Sequence, residues 1–162
     1  MSTAENLSQA FACECQANRK YLAYARKADT EGFPNIAKRF RMAAEAEAIH
    51  AMIHLRAMGG VGTTLENLKK AIEGEELEAN HTYPEFTATA EKDGNRVAAA
   101  GFRNAWAVEK VHYKMFMRAL KALESGADLP PATSMICESC GNPIETPVAC
   151  PICGQLKRIA AC

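Results

Sequence analysis

The chain lacks several features that would assign it to a large class of proteins. Its 162 residues carry 19 basic and 19 acidic side chains, so no net charge attracts it to nucleic acid or to an anionic membrane. No apolar run in the sequence approaches the roughly 20 residues that a membrane span needs. The first residues contain no basic segment followed by an apolar one. We therefore expect no signal peptide and a cytoplasmic location.

Cysteine is absent from a long central stretch. Cys13 and Cys15 lie near the start, the next 121 residues contain none, and five cysteines follow from Cys137 onward. An odd, clustered set is typical of metal binding in a reducing compartment, not of a disulfide framework. Two C-x2-C pairs separated by nine residues predict one tetrahedral site of four thiolates, namely Cys137, Cys140, Cys150 and Cys153. Either a redox-active iron or a structural zinc suits such a site.

Aromatic residues are missing from the C-terminal segment. Residues 135–162 contain no Phe, Tyr or Trp, and their Gly, Pro and Cys residues show no helical periodicity. Leu129-Pro130-Pro131 just before them indicates a short, stiff connection. We predict three parts: a helical domain at 1–127, a linker at 128–134 and a cysteine module at 135–162.

The helical domain shows apolar residues at spacings of three and four. The first predicted helix spans residues 3–29, and the second runs from Pro34 to the glycine pair at 59–60. The third opens at a Thr63-x-x-Glu66 capping box, with a kink or local irregularity expected at Tyr83-Pro84. The fourth spans residues 96–125. These helices predict an all-α four-helix bundle.

Polar residues interrupt the apolar stripes of all four helices. Glu47-x-x-His50 and Glu109-x-x-His112 each place a carboxylate and an imidazole on one helix face. A single such pair is often only a solvated surface feature. Glu14 precedes the first pair by 33 residues and Glu75 precedes the second by 34, which gives a loose internal repeat. Di-metal four-helix bundles use this combination of ligands.

The complete predicted set of bundle ligands has five carboxylates and two imidazoles: Glu14, Glu47, His50, Glu75, Glu78, Glu109 and His112. Five carboxylates in one core repel one another, and two divalent cations would offset that repulsion. Carboxylate and imidazole ligands suit iron or manganese, and zinc also fits. Tyr21 and Tyr83 are candidates for donating a hydrogen bond to a ligand carboxylate, with simple packing as the alternative.

Taken together, these motifs resemble the rubrerythrins, in which a ferritin-like di-iron bundle precedes a rubredoxin-like iron centre. The resemblance rests on the segments around Glu14, Glu47-Ala48-Ile49-His50, Gly74 to Glu78 with Tyr83-Pro84-Glu85-Phe86, Glu109-Lys110-Val111-His112 and the two cysteine pairs. It covers nearly the whole chain. Two departures are a shorter loop between the cysteine pairs and Asn142 where the family usually has an aromatic residue.

The resemblance implies a function for each part. A rubrerythrin reduces hydrogen peroxide to water at two iron ions, and a third iron in the four-cysteine site relays electrons from a rubredoxin-type or reductase-type donor fed by NAD(P)H. It also implies a homodimer, and it makes Glu78 the carboxylate that exchanges with His50 as one iron changes oxidation state. Two alternatives stay open: a ferroxidase or iron-handling protein, and a scaffold with a structural zinc module.

Overall fold

Five α-helices make up most of the described chain. The structure, a computed structural model, describes residues 2–131, 135–144 and 149–155, and the backbone of 160–161. The helices are α1 (Thr3–Thr30), α2 (Pro34–Ala57), α3 (Thr64–Leu77), α4 (Tyr83–Lys92) and α5 (Arg96–Glu124), with a π-helical turn (Glu78–Thr82) between α3 and α4. No helix among the described residues combines the length and the hydropathy that a membrane span requires.

The predicted helix ends are confirmed to within a few residues. Ser2 caps α1, and Thr63 caps α3 by accepting a hydrogen bond from the Glu66 amide while the Glu66 carboxylate accepts one from the Thr63 amide. Pro34 is the first residue of α2, where its missing N–H costs nothing. These local signals set the starts of the helices that carry the candidate ligands.

The irregularity predicted at Tyr83-Pro84 is the π-helical turn. In a continuous α-helix the Tyr83 amide would donate to the carbonyl four residues back, at position 79. Here it donates to the Glu78 carbonyl, five residues back. The predicted third helix therefore continues through α4 to Lys92 with one change of hydrogen-bond register.

Residues Met1–Gly62 form one compact unit, in which α1 packs along α2. Its core is built from small side chains: Ala25, Ala28 and Ala37 are buried together, with Phe40 packed against them. Ala44 and Ala51 continue the buried row of α2 at seven-residue spacing. The helical periodicity predicts Ile36, and either Ile53 or His54, on the inner side of α2. Ile36 and Ile53 are 49% and 53% exposed, whereas His54 is half-buried. The buried row lies one residue, about 100°, from the Ile36 position, because alanines let two helices approach closely.

Residues Thr63–Cys162 form the second compact unit. Both α3 and α4 pack on α5, whose Ala99 and Val108 are buried. The apolar periodicity of the sequence predicts Val97 on the inner side of α5. It is 86% exposed in the first turn, and Ala99 is the first buried residue of that helix. In the cysteine module, β1 (Met135–Ile136) pairs antiparallel with both β2 (Pro143–Ile144) and β3 (Ala160–Ala161). The domain limits at 1–127, 128–134 and 135–162 stay a prediction.

Candidate metal centres

The α1–α2 cluster consists of Glu14, Glu47 and His50. One possible ligand atom from each of the three lies within 4.8 Å of the other two. His50 Nδ1 is 2.9 Å from Glu47 Oε2, because residues three apart meet on one helix face. Glu14 comes from the neighbouring helix α1. Two regular helices, α1 and α2, therefore bring together three side chains that can bind a cation.

The α3–α5 cluster consists of Glu75, Glu109 and His112, and it has the same composition. Its ligand atoms also lie within 4.8 Å of one another. His112 Nδ1 is 2.8 Å from Glu109 Oε2 and 3.6 Å from Glu75 Oε2. The structure thus groups six of the seven predicted bundle ligands into two sets of three, each described within its own compact unit. That all seven serve one di-iron site stays a prediction.

Glu78, the seventh predicted ligand, lies close to the α3–α5 cluster. Burial raises the pKa of its carboxyl, and the nearby negative charge of Glu109 raises it further, while His112 opposes the shift. Glu78 is the first residue of the π-helical turn, one helical turn after Glu75. The α3–α5 unit therefore gathers three carboxylates around one imidazole.

Glu75 shows that this cluster fits a metal ion. Burial, a hydrogen bond with the Glu109 carboxyl, and the charges of Glu109 and Glu78 raise the pKa of Glu75 to about 7, against the opposing effect of His112. Its Oε2 atom is buried and makes no hydrogen bond, since the nearby His112 Nδ1 is 3.6 Å away. A buried carboxylate oxygen without a partner is costly. A divalent cation bound there would satisfy this oxygen and neutralise the crowded charge.

The two predicted tyrosines have different surroundings. Burial raises the pKa of Tyr83, and the charges of Glu78, Glu109 and Glu75 raise it further, so this phenol lies within the field of the α3–α5 cluster. Its ring also packs near Phe86. Tyr21 packs with the rings of Tyr24 and Phe40, at centroid distances of 6.3 and 6.2 Å. A hydrogen bond from either phenol to a ligand carboxylate stays a prediction.

The four predicted cysteines converge in the module. Their Sγ atoms all lie within 4.8 Å of one another. Cys137 Sγ is 3.6 Å from Cys153 Sγ, and Cys140 Sγ is 3.5 Å from Cys150 Sγ. A tetrahedron with metal–sulfur bonds of about 2.3 Å has sulfur–sulfur edges of roughly 3.8 Å. The spacing therefore suits one tetrahedral metal ion and is too long for a disulfide.

Backbone amides prepare one of these thiols for binding as thiolate. Burial alone would raise the pKa of Cys150, but N–H groups of Cys153 and Ile152 and the thiols of Cys140 and Cys153 outweigh it, and the pKa falls to about 7. Burial raises the pKa of Cys140. The glycines after each pair, Gly141 and Gly154, have φ of 81° and 69°, and their amides donate to the Cys137 and Cys150 carbonyls. The left-handed conformation of the glycine completes the tight turn that follows each cysteine pair.

Comparisons with known proteins identify the family to which this geometry belongs. The family model described as Rubrerythrin matches residues 5–120, which include all seven predicted bundle ligands. The chain belongs to the rubrerythrin family. A rubrerythrin from Clostridium perfringens is 34% identical over 93% of this chain and 89% of its own length. Nigerythrin from Nitratidesulfovibrio vulgaris is 30% identical over 96% of this chain and 84% of its own length.

Solved structures of nigerythrin resemble the chain as well. The partially reduced state of nigerythrin has a TM-score of 0.56 at 28% identity, covering 99% of this chain and 87% of that one. The ferritin-like fold class and the four-cysteine module predicted from the sequence are confirmed. Rubrerythrins are di-iron oxidoreductases of oxidative-stress defence that bind a further iron in a rubredoxin-like site. The predicted cofactors are therefore those of the family.

The sequence reasoning missed one residue beside the α3–α5 cluster. Trp106, the one tryptophan of the chain, donates its indole N–H to the Ala79 carbonyl at 2.5 Å. Lys110 Nζ lies 4.0 Å from the centre of the Trp106 ring. One signal was present in the sequence, because Trp106 lies three residues before Glu109 and so on the same helix face. Pro84 also indicated that a carbonyl in the preceding turn lacks a backbone donor, but the sequence did not show which residue would supply one.

Proposed function

We propose that the protein reduces hydrogen peroxide to water, with Glu14, Glu47, His50, Glu75, Glu78, Glu109 and His112 as the ligands of two iron ions. The observation that supports this most directly is the repeated three-ligand cluster, each with its ligand atoms within 4.8 Å, in a chain of the rubrerythrin family. When bound, the iron pair would supply the two electrons that convert hydrogen peroxide and two protons into two waters.

Side chains of the α3–α5 cluster would carry a proton and balance the change in charge of the iron pair during this reaction. Glu75, with its pKa raised to about 7, can carry a proton at neutral pH and release it on binding a cation. Glu78 adds a further carboxylate close to Glu109, which can offset a change in charge of the pair. Tyr83, in the field of the same carboxylates, is the candidate hydrogen-bond donor to them.

The four-cysteine site is the proposed entry point for electrons. Its four sulfurs are placed for iron, and iron with thiolate ligands is a one-electron carrier. The family uses donors such as rubredoxin and typically forms homodimers, and we propose both for this protein. We also propose that a reductase fed by NAD(P)H reduces this donor, and that the protein works in the reducing cytoplasm.

An anaerobic spectroscopic experiment tests the relay. The iron-loaded protein is reduced, mixed with two equivalents of peroxide per iron pair, which is enough to oxidise the pair and the thiolate iron as well, and followed through its ferric-thiolate absorption. We expect rapid return of this colour as peroxide is consumed. Cys140→Ser should abolish the colour and donor-driven turnover, whereas Cys15→Ser, which changes an exposed cysteine of α1, should leave both unchanged.

Each other result selects a different function. Peroxide consumed while the thiolate iron stays reduced would remove the cysteine site from the electron path. Zinc in that site with no colour would make the module structural. Oxidation of added ferrous iron with retained mineral, and without donor-driven peroxide turnover, would favour a ferroxidase.

A further inference from the structure

The π-helical turn leaves one buried carbonyl without a helical donor. The Ala79 carbonyl would accept from the Tyr83 amide in an α-helical register, but that amide donates to Glu78. In the π register the donor would come five residues later, at Pro84, which has no N–H. Ala79 is only 6% exposed. A buried carbonyl in this position needs a partner from elsewhere.

The Trp106 side chain supplies that partner from α5. Its indole N–H, which can only donate, lies 2.5 Å from the Ala79 carbonyl oxygen. The ring is half-buried, and Lys110 Nζ lies over its face at 4.0 Å, which adds a cation–π contact. Trp106 therefore joins α5, one turn before Glu109, to the residue that directly follows Glu78.

We propose that Trp106 is a positioning residue that fixes the π-helical turn and thereby sets where Glu78 stands relative to Glu109. The indole takes the place of the backbone donor that Pro84 lacks. Without it, the turn has an unsatisfied buried carbonyl and opens or changes register more often. The hydrogen-bond part of this inference stands on geometry alone, whereas its consequence for a metal ligand rests on the proposed function.

Trp106→Phe tests the hydrogen bond, because it keeps an aromatic ring and removes the N–H. Hydrogen exchange is measured on the full-length, metal-free protein for the peptide spanning residues 78–83, with a peptide of α2 as reference. We expect exchange in 78–83 to rise about tenfold, which corresponds to one lost buried hydrogen bond. The α2 peptide should change by less than about twofold. Lys110→Met, which leaves the indole donor in place, should raise exchange in 78–83 by less than about threefold.

Repeating Trp106→Phe in a protein that also carries Pro84→Ala gives the decisive test. The new amide at position 84 can donate to the Ala79 carbonyl in the π register, and Tyr83 can do so if the turn returns to α-helix. In either case the indole becomes redundant, so Trp106→Phe should change exchange by less than about threefold in this background. An equal effect in both backgrounds, no effect in either, or a uniform rise across all five helices would overturn the proposal.

A second readout connects the turn to the metal. The protein is loaded with ⁵⁷Fe, reduced, and examined by Mössbauer spectroscopy without any substrate. Trp106→Phe should alter the quadrupole splitting of bundle iron and leave that of the thiolate iron unchanged. If exchange changes as expected but the bundle spectrum does not, the indole holds the turn without positioning Glu78. If no iron binds the bundle even in the unaltered protein, the proposed function fails, while the exchange result still decides the hydrogen bond.

Discussion

The α1–α2 cluster and the α3–α5 cluster carry the same ligand types with the same Glu-x-x-His spacing, but their surroundings differ. In the first, the His50 and Glu47 side chains are 51% and 21% exposed. In the second, the His112 and Glu109 side chains are 28% and 14% exposed. The helices of the first cluster are unbroken, whereas a π-helical turn and an additional carboxylate, Glu78, accompany the second.

This difference shows that repeating a ligand pattern does not repeat its electrostatics. Glu75, Glu78 and Glu109 crowd one imidazole, and burial weakens the screening between them. The result is a carboxyl group with a pKa of about 7 and a buried oxygen that makes no hydrogen bond. Proton and metal therefore compete most directly at the α3–α5 cluster. The additional carboxylate is the feature that most clearly separates the two halves.

Removing that carboxylate should have the largest effect. We predict that Glu78→Ala lowers peroxide turnover by about 100-fold or more, because losing a preorganised charged group from such a site costs on the order of 10²–10³ in rate. The measurement is steady-state peroxide reduction with protein of known iron content. Glu76→Ala is the matched control, since Glu76 is exposed and lies only two residues before Glu78. Equal turnover in the two variants would remove Glu78 from the mechanism.

The pH dependence of stability should show a smaller effect. The folded pKa of Glu75 lies above its ordinary value of 4.5, so between about 4.5 and 7 the folded protein holds more protons than the unfolded chain. The free energy of unfolding of the metal-free protein should therefore fall as pH rises through this window. The expected contribution of Glu75 is on the order of 2 kcal/mol. Urea unfolding at several pH values should show this slope, and Glu75→Gln should flatten it.

Glu66 offers a control of opposite sign. Hydrogen bonds from the Thr63 amide and hydroxyl lower the pKa of this exposed capping carboxylate. Its contribution to stability is present above pH 4.5 and is lost as the pH falls through its lowered folded pKa. Glu66→Gln should therefore remove a contribution that rises with pH. If Glu75→Gln leaves the falling contribution in place, the charge crowding assigned to the α3–α5 cluster is wrong.

A hydrogen bond in the other unit should have the smallest effect. Asn18 Nδ2 donates to the Ala44 carbonyl at 2.7 Å and so joins α1 to α2 near Glu14 and Glu47. Ala44 lies within a regular α-helix, so its carbonyl keeps a helical donor when the amide is removed. Asn18→Ala should cost about 1 kcal/mol of unfolding free energy. Gln16→Ala, on the exposed side of α1, should cost less than about 0.5 kcal/mol. If Asn18→Ala lowers the free energy of unfolding by more than about 3 kcal/mol, the effect is too large for one hydrogen bond between two helices, and this account of the contact is wrong.

Local sequence signals predicted the helix ends and the pairing of each glutamate with the histidine three residues later. The Thr63-x-x-Glu66 capping box, Pro34 and Pro84 act within a few residues, so their consequences can be read along the chain. Glu-x-x-His spacing places its two side chains together on any helix. The four-cysteine site was predicted in the same way, because two C-x2-C pairs a short distance apart define one tetrahedral site.

Features that depend on packing between helices could not be predicted in this way. The side of α2 that faces α1 follows its alanines and not Ile36 and Ile53, because close approach favours small residues over large ones. Val97 fits the periodicity of α5 but lies in its exposed first turn. The Trp106 bond depends on the carbonyl that the π-helical turn releases, so it emerges only when two segments 27 residues apart are brought together.

The central proposal is that the seven bundle ligands hold one pair of iron ions. Mössbauer spectroscopy of the oxidised, ⁵⁷Fe-loaded protein at low temperature, together with iron and protein analysis, tests it most directly. We predict three iron ions per chain: a magnetically coupled ferric pair with no net spin, and one high-spin ferric ion with thiolate ligands. Zinc in the cysteine site would leave the pair unchanged. Two uncoupled ferric ions with oxygen and nitrogen ligands, or a single one, would contradict the claim and make each cluster a separate site.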